Sequence, residues 1–187
     1  MEYTLQEMMS GQWIDGETLT SSNYNDNFIT QLAECIASLH TSEVGIEGNR
    51  LVHHIVEYLD PVDDFTQTAC KEFWDIEENL YYNTILHGDI WAGNIIVDPK
   101  GNFAGLIDWN NKQVGDAHWD LRTIRRWIGW RGLDSLINKY NSLTGCNKLN
   151  KDYIVILDKI SLCHSRQLHN FRKSVFTDYI KRYPNAI

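Results

Sequence analysis

Leu86-His87-Gly88-Asp89-Ile90-Trp91-Ala92-Gly93-Asn94-Ile95-Ile96-Val97, followed by Leu106-Ile107-Asp108-Trp109, decides the reading of this chain. Three polar points stand inside an apolar frame. Asp89 and Asn94 lie five residues apart across a glycine-containing loop, and Asp108 comes fourteen residues after Asn94 at the end of a second apolar run. Ile95-Ile96-Val97 and Phe103-Ala104-Gly105-Leu106-Ile107 read as two short strands. Asp98-Pro99-Lys100-Gly101-Asn102 between them is a strong turn signal. A loop, a hairpin and an Asp at its far end would gather Asp89, Asn94 and Asp108 into one small volume. Metal-assisted phosphoryl transfer needs such a set: one carboxylate takes the acceptor hydroxyl proton, while an amide oxygen and a second carboxylate hold the cation against the phosphates.

Working outward, 187 residues suffice for one domain with a filled core, and seven Trp, nine Tyr and six Phe supply the apolar area. A net charge of −8 argues against a nucleic-acid partner, because no basic patch would neutralise phosphates. It would suit a cationic substrate, although acidic balances are common. No apolar run reaches eighteen residues, and Met1-Glu2-Tyr3-Thr4 carries no signal-like core, so neither membrane insertion nor export is expected. Cys35, Cys70, Cys146 and Cys163 are scattered without a Cys-x-x-Cys pair and read as thiols of a cytoplasmic protein.

Tyr3 to Met9 reads as a strand running into Ser10-Gly11. Asp26-Asn27 can cap a helix whose Phe28, Ile29, Leu32, Ala33, Ile36, Ala37 and Leu39 follow the spacing of one buried face. Pro61 separates a helical run over Leu51 to Leu59 from a longer one near Val62 to Tyr82. Asp116 opens a further helix with Leu121, Ile124 and Trp127, punctuated by Gly129 and Gly132. A short helix over Leu133 to Leu143 ends at Gly145, and Lys151 to Arg182 is one long amphipathic helix or a pair, stopped by Pro184. His53-His54, His164 and His169 lack carboxylate or Cys neighbours at ligand spacing and read as surface positions rather than a zinc site.

The pattern His-Gly-Asp-x4-Asn, a hairpin, then Ile-Asp-Trp resembles the catalytic core of the aminoglycoside phosphotransferase and choline kinase family, small-molecule kinases of protein-kinase-like fold. Gly115-Asp116-Ala117-His118-Trp119-Asp120-Leu121 is similar to the family's Gly-Asp-Pro-x-x-Asp-Leu segment. Protein kinases read His-Arg-Asp and Asp-Phe-Gly at these elements; Gly88 and Trp109 in those places point to the small-molecule branch. The resemblance implies an α+β, mostly helical C-lobe with a small catalytic β-hairpin. It makes Asp89 the catalytic base, Asn94 and Asp108 the Mg2+ ligands, and ATP or GTP the phosphoryl donor. Backbone groups of Glu7 and Met9 would meet the nucleotide base at a hinge, over an apolar floor of Ile96 and Ile107. His87, Asp116 and Asp120 would support the site, Asp116 as a helix N-cap and Asp120 as an acceptor for backbone N–H groups of the loop. Trp127 and Trp130 fall where the family's acceptor pocket begins, with a core role favoured.

Nothing before His87 resembles the glycine-rich loop, strand Lys and helix Glu with which such a kinase begins. Residues 1–11 match only the last strand and hinge of that first lobe, and 12–187 the helical lobe, with its catalytic loop at 86–97 and metal segment at 106–109. A C-lobe whose first lobe is absent, or supplied by an upstream segment or a separate chain, is therefore expected. Two readings stay open: a phosphotransferase acting on the hydroxyl of an aminoglycoside, sugar or amino alcohol, and a catalytically silent remnant or binding module. A metal-dependent hydrolase is disfavoured, since no second His/Asp cluster is present.

Overall fold

The computed structural model describes residues 12–13, 26–42, 50–98, 100–145 and 149–168. Six helices and five strands lie among them: β1 (Gln12–Trp13), α1 (Asp26–His40), α2 (Leu51–Glu57), α3 (Asp64–Ile76), β2 (Thr84–Leu86), β3 (Ile95–Val97), β4 (Phe103–Leu106), β5 (Gln113–Gly115), α4 (His118–Leu121), α5 (Arg125–Thr144) and α6 (Lys151–Leu168). Single 3-10 turns occupy Glu77–Asn79, Ala92–Asn94 and Trp109–Asn111. No described helix is long and apolar enough to cross a membrane.

Helical periodicity builds two cores. Phe28, Ile29, Leu32, Ala33, Ile36 and Ala37 on α1 pack with Ile128, Leu133, Leu136, Ile137 and Tyr140 on α5 and with Ile95 and Leu106 of the hairpin. Val52, Ile55 and Val56 on α2, Ala69, Phe73 and Ile76 on α3, and Leu157, Ile160 and Cys163 on α6 form the second, joined by Leu86 and Trp119. Burying such a side chain stabilises the fold by about 1.5–3 kcal/mol.

The α3 cap also serves tertiary structure. Asp63 accepts the Thr66 N–H at 2.9 Å and the Thr66 hydroxyl at 2.8 Å, while Arg166 of α6 donates to both of its oxygens at 2.6 and 3.1 Å. The guanidinium, with the cap bonds, holds the Asp63 carboxyl well below the usual carboxylate range. A depressed folded-state value stabilises the fold above the unfolded pKa of about 3.9, and that stability is lost as pH falls further toward the depressed value. Arg166→Met should therefore lose stability at pH 6 and less at pH 2.5, where the unfolded chain has protonated Asp63 while the folded pair persists. Urea midpoints at the two values check this, and an equal deficit at both would count against it.

Two small antiparallel sheets place the site: β1-β3-β4, with Trp13 opposite Ile96 and Ile95 opposite Leu106, and β2-β5, with Leu86 opposite Gln113. Residues 87–94 run from β2 to β3, and residues 107–112 run from β4 to β5. Because Leu86 pairs with Gln113 and Ile95 with Leu106, these two connections start and finish side by side. Of the residues expected at the site, His87, Asp89, Asn94, Ile107 and Asp108 lie on them, and Asp120 bonds the first from beneath.

Several elements differ from the sequence reading. The run from Val62 stops being helical at Ile76, passes through a 3-10 turn and is extended at Leu80. Gly132 does not interrupt its helix. Gly129 does, with φ 69° and ψ −178°, and Trp130 to Thr144 continues to Gly145. Gln12–Trp13 pairs with β3, and neither this short strand nor the β2-β5 pair was expected. The strand and hinge over residues 3–11, and the continuation of the last helix to Arg182, lie outside the described residues.

Candidate active site

Strand β2 delivers the chain into the loop, and a buried carboxylate fixes its backbone. Asp120 on α4 accepts the His87 N–H at 2.8 Å and the Gly88 N–H at 2.7 Å, and is wholly buried. Gly88 has φ +84°, and a Cβ there would lie 2.0 Å from the Asn111 carbonyl oxygen. Only glycine allows the two connections to touch at that point. His87 bridges them as well. It receives the Asp89 N–H on Nδ1 at 3.3 Å, so in the neutral ring the proton sits on Nε2, which donates to the Ile107 carbonyl at 2.9 Å. Its ring packs on Trp109 at 4.6 Å.

Asp89 follows, half-buried. Asn94 on the 3-10 turn donates its amide to the Asp89 backbone carbonyl at 2.9 Å and, more weakly, to Oδ2 at 3.4 Å. Its own backbone carbonyl accepts the Ile107 N–H at 3.0 Å. Asp89, Asn94 and the start of the Ile107–Lys112 segment are thus tied into one knot. Asp108 lies one residue beyond it, exposed, and at φ 61° and ψ 70° it is the one described non-glycine residue with positive φ. Asp tolerates this region better than most side chains, yet such a residue costs of order 1–3 kcal/mol and clusters at functional positions. Asn110 donates to Asp108 Oδ1 at 2.7 Å.

These residues suit a hard divalent cation. Such an ion takes oxygen donors, and Asn94, with its amide nitrogen committed to Asp89, keeps Oδ1 for that purpose. The Asp89 carboxylate lies 3.4 Å from the Asn94 amide, and Asp108 follows Ile107, whose N–H the Asn94 carbonyl accepts. Among the described residues no group of three or more His, Cys, Asp or Glu gathers as a metal cluster; an ion here would depend on the Asn94 amide oxygen beside a carboxylate and retain other oxygen partners, a pattern usual for Mg2+.

Ile96 and Ile107 are buried and belong to neither described core. Strand alternation turns Ile95 and Leu106 toward α1 and leaves Ile96 and Ile107 on the other hairpin face. Glu7 and Met9 lie outside the described residues. Asp116 accepts the His118 N–H at 2.9 Å, an N-cap type of contact, and also the Tyr81 N–H at 2.7 Å. The His118 ring closes the network, bonding Asp116 through Nδ1 at 2.6 Å and accepting the Asn150 N–H at 2.9 Å. Trp127 is buried in the first core, whereas Trp130 is partly exposed over Arg125 and Lys151.

Three contributors escaped the sequence reading. Arg122 is buried beneath the loop, stacked on Trp119 at 4.0 Å and donating to the Trp119 and Gly88 carbonyls at 2.7 and 3.1 Å. Burial lowers its pKa to about 10, against the pull of Asp120 and Asp89, so it keeps its charge at neutral pH. Thr123 donates to the Ile90 carbonyl at 2.6 Å, and His40 reaches Asp120 from α1. The Asp120-Leu121-Arg122 spacing could have flagged Arg122, but nothing local marks the other two. One expectation fails in detail: His53 does have carboxylate neighbours, Glu57 at 3.3 Å and Glu77 at 3.1 Å, and His54 meets Glu57 at 3.2 Å. The Glu57 pairs are surface contacts of small energetic weight, whereas Glu77 beside His53 is partly buried.

Residues 2–141 match the model of the phosphotransferase enzyme family, and the chain belongs to that family. A probable aminoglycoside 3'-phosphotransferase of Lactococcus lactis is 27% identical over 178 residues, covering 81% of this chain and 65% of that protein. Among solved structures, the GDP complex of aminoglycoside 2'-phosphotransferase-IIIa superposes with a TM-score of 0.68 at 14% identity, covering 95% of this chain and 68% of that one. Choline kinase LicA from Streptococcus pneumoniae superposes at 0.60 and 14% identity, covering 100% and 72%. The fold is that of the kinase-like phosphotransferases. The chain spans 45 to 65% of the length of the curated relatives it matches.

Proposed function

We propose that this chain carries the catalytic half of an ATP- or GTP-dependent phosphotransferase acting on a small-molecule hydroxyl in the cytoplasm. The observation that carries the reading is the knot at Asp89, a half-exposed carboxylate on a backbone held by Asn94 and by the Asp120-fixed loop. Family membership and relatives named as aminoglycoside phosphotransferase and choline kinase support it, as do neighbours captured with GDP and AMP.

In this reading Asp89 orients the acceptor hydroxyl and takes its proton as the new oxygen–phosphorus bond forms. The bond to the β-phosphate breaks, and the nucleoside diphosphate leaves. Mg2+, when bound, neutralises charge on the phosphates. Asn94 Oδ1 and the Asp108 carboxylate would hold it, Ile96 and Ile107 would floor the nucleotide base, and backbone groups of Glu7 and Met9 would bond its edge. An aminoglycoside, a sugar or an amino alcohol is the acceptor class. The phosphate-clamping Lys and glycine loop would come from an upstream segment or a separate chain. The 187 residues alone would then turn over at least 10²-fold more slowly, since one lost electrostatic donor costs on the order of 10²–10³.

Nucleotide consumption with Mg2+ over a panel of those acceptors tests this, on the chain alone and on the chain with any in-frame residues encoded ahead of Met1. Turnover that needs both acceptor and metal, and stops with EDTA, is the expected result. Metal-dependent nucleotide binding without turnover in either form would instead favour a silent binding module.

A further inference from the structure

Side chains alternate along the loop after Gly88. Ile90 and Ala92 are buried in the first core, whereas Asp89 is half-buried and Trp91 is 47% exposed. Trp91 has extended backbone, with φ −141° and ψ 169°, and in extended chain successive side chains point to opposite sides. Asp89 and Trp91 therefore leave the loop on the same side, about 7 Å apart along the chain. The stretch is anchored at both ends. Thr123 donates to the Ile90 carbonyl at 2.6 Å, and the Asn94 N–H bonds the Trp91 carbonyl at 2.9 Å.

The indole is seated as well. A Cβ on Gly93 would lie 2.3 Å from Cη2, 2.4 Å from Cζ2 and 2.8 Å from Cζ3 of Trp91. The outer edge of the indole thus fills the space that any other residue at 93 would need for its own side chain. Gly93 is not among the glycines of positive φ, so what it supplies here is room rather than backbone freedom. A large aromatic side chain is held open to solvent two residues past the base, on the side to which Asp89 turns.

We propose that Trp91 is the acceptor platform of the phosphotransfer site. The acceptor is a sugar ring, free or carried on an aminoglycoside, whose C–H face lies on the indole while one hydroxyl meets Asp89. The inference rests on the function proposed above. A ring bonded to Asp89 has its body over Trp91, whereas a short amino alcohol covers little of the indole. Ammonium groups are held by aromatic cages, several ring faces around one charge. Trp109, the other partly exposed indole on the two connections, already packs on His87. Trp91 offers one flat face, which suits a flat saturated ring.

Two variants test the platform from opposite sides. Trp91→Ala removes the indole, and Gly93→Ala keeps it but puts a methyl group where it sits. Each should raise the KM of a ring acceptor about tenfold, with kcat and nucleotide KM within about threefold, because covering roughly 60 Å² of apolar surface corresponds to about that factor in affinity. A neutral monosaccharide and an aminoglycoside are run side by side, and whichever is used carries the effect. Trp91→Phe, with a smaller aromatic face, should recover part of it. A fall in kcat with unchanged acceptor KM would make Trp91 a prop of the loop and overturn the proposal. So would a wild-type chain that uses only linear amino alcohols. Fluorine-labelled tryptophan gives a readout that needs no turnover: the resonance missing from Trp91→Phe should shift with the ring acceptor and stay in place with the amino alcohol. If the wild-type chain phosphorylates nothing, the function reading fails alone, and this resonance still decides the platform. No shift with either ring acceptor would overturn it.

Discussion

Asp89→Ala should lower kcat by about 10²–10⁴-fold, the range that a positioned general base supplies, with little change in melting temperature. The argument is structural. The Asp89 backbone is held by its neighbours: its carbonyl accepts the Asn94 amide, its N–H bonds His87, and Asp120 grips the two residues before it. Truncation therefore removes a carboxylate without releasing the loop. Only the long Asn94 contact to Oδ2, at 3.4 Å, goes with it. Nucleotide KM should stay within a few-fold, because the residues proposed to hold the base and the cation are untouched. Steady-state kinetics with any acceptor that turns over, beside a thermal melt, checks both halves. A variant that keeps a tenth or more of wild-type kcat would remove Asp89 from the chemistry.

The second large effect concerns stability. Asp158 on α6 is fully buried with two cations: Arg125 donates to Oδ2 at 2.9 Å, and Arg126 bonds Oδ1 through Nε at 2.7 Å and through Nη2. Arg125 is itself completely buried, and its Nε and Nη1 find no partner. Burial pushes the Asp158 carboxyl up and the Arg125 guanidinium down, and each is restrained by the other's charge. Asp158→Ala would leave Arg125 as an uncompensated buried cation, a change worth about 3–5 kcal/mol. Domains are stable by only about 5–15 kcal/mol in total, so the melting temperature should fall by roughly 10 °C or more. Replacing Arg125 and Asp158 together, Arg125→Met with Asp158→Leu, should recover the part of the loss that comes from the buried Arg125 charge, while Arg126, 11% exposed, still loses its partner but can reach water. Urea unfolding of the two variants decides between a pair that holds α5 to α6 and one that is merely tolerated. A loss below 1 kcal/mol in Asp158→Ala would point to the second.

The hairpin and its loop were legible because their signals are local. Ile95-Ile96-Val97 and the turn beginning at Asp98 carry strand and turn chemistry within eight residues, and Asp98 takes the Lys100 and Asn102 N–H groups at 2.8 Å in the way such turns do. Asp120 was legible through its place in a short pattern. By contrast, the β2-β5 pair joins segments of three residues each, nearly thirty positions apart. Neither shows an alternation long enough to register, and its stability comes from the cores on either side. His40 is a lone histidine at the end of an apolar helix, and its partner lies 80 residues away. Buried polar groups of this kind are chosen by three-dimensional proximity, on which local periodicity is silent. Helix ends shifted for a related reason: the helical pattern after Val62 continues past Ile76, but the backbone must extend there so that Tyr81 can reach Asp116.

The left-handed backbone at Asp108 has an evolutionary consequence. Of the twenty amino acids, glycine, asparagine and aspartate enter that conformation at least cost, and only aspartate brings a negative charge. In the genetic code asparagine and glycine each lie one base change from aspartate, so drift at this codon can erase the charge while the fold is untouched. A descendant that has given up chemistry but kept its shape would be recognisable by Asn or Gly at 108 beneath an otherwise intact scaffold. This chain has Asp there, and in that respect it carries no mark of retirement.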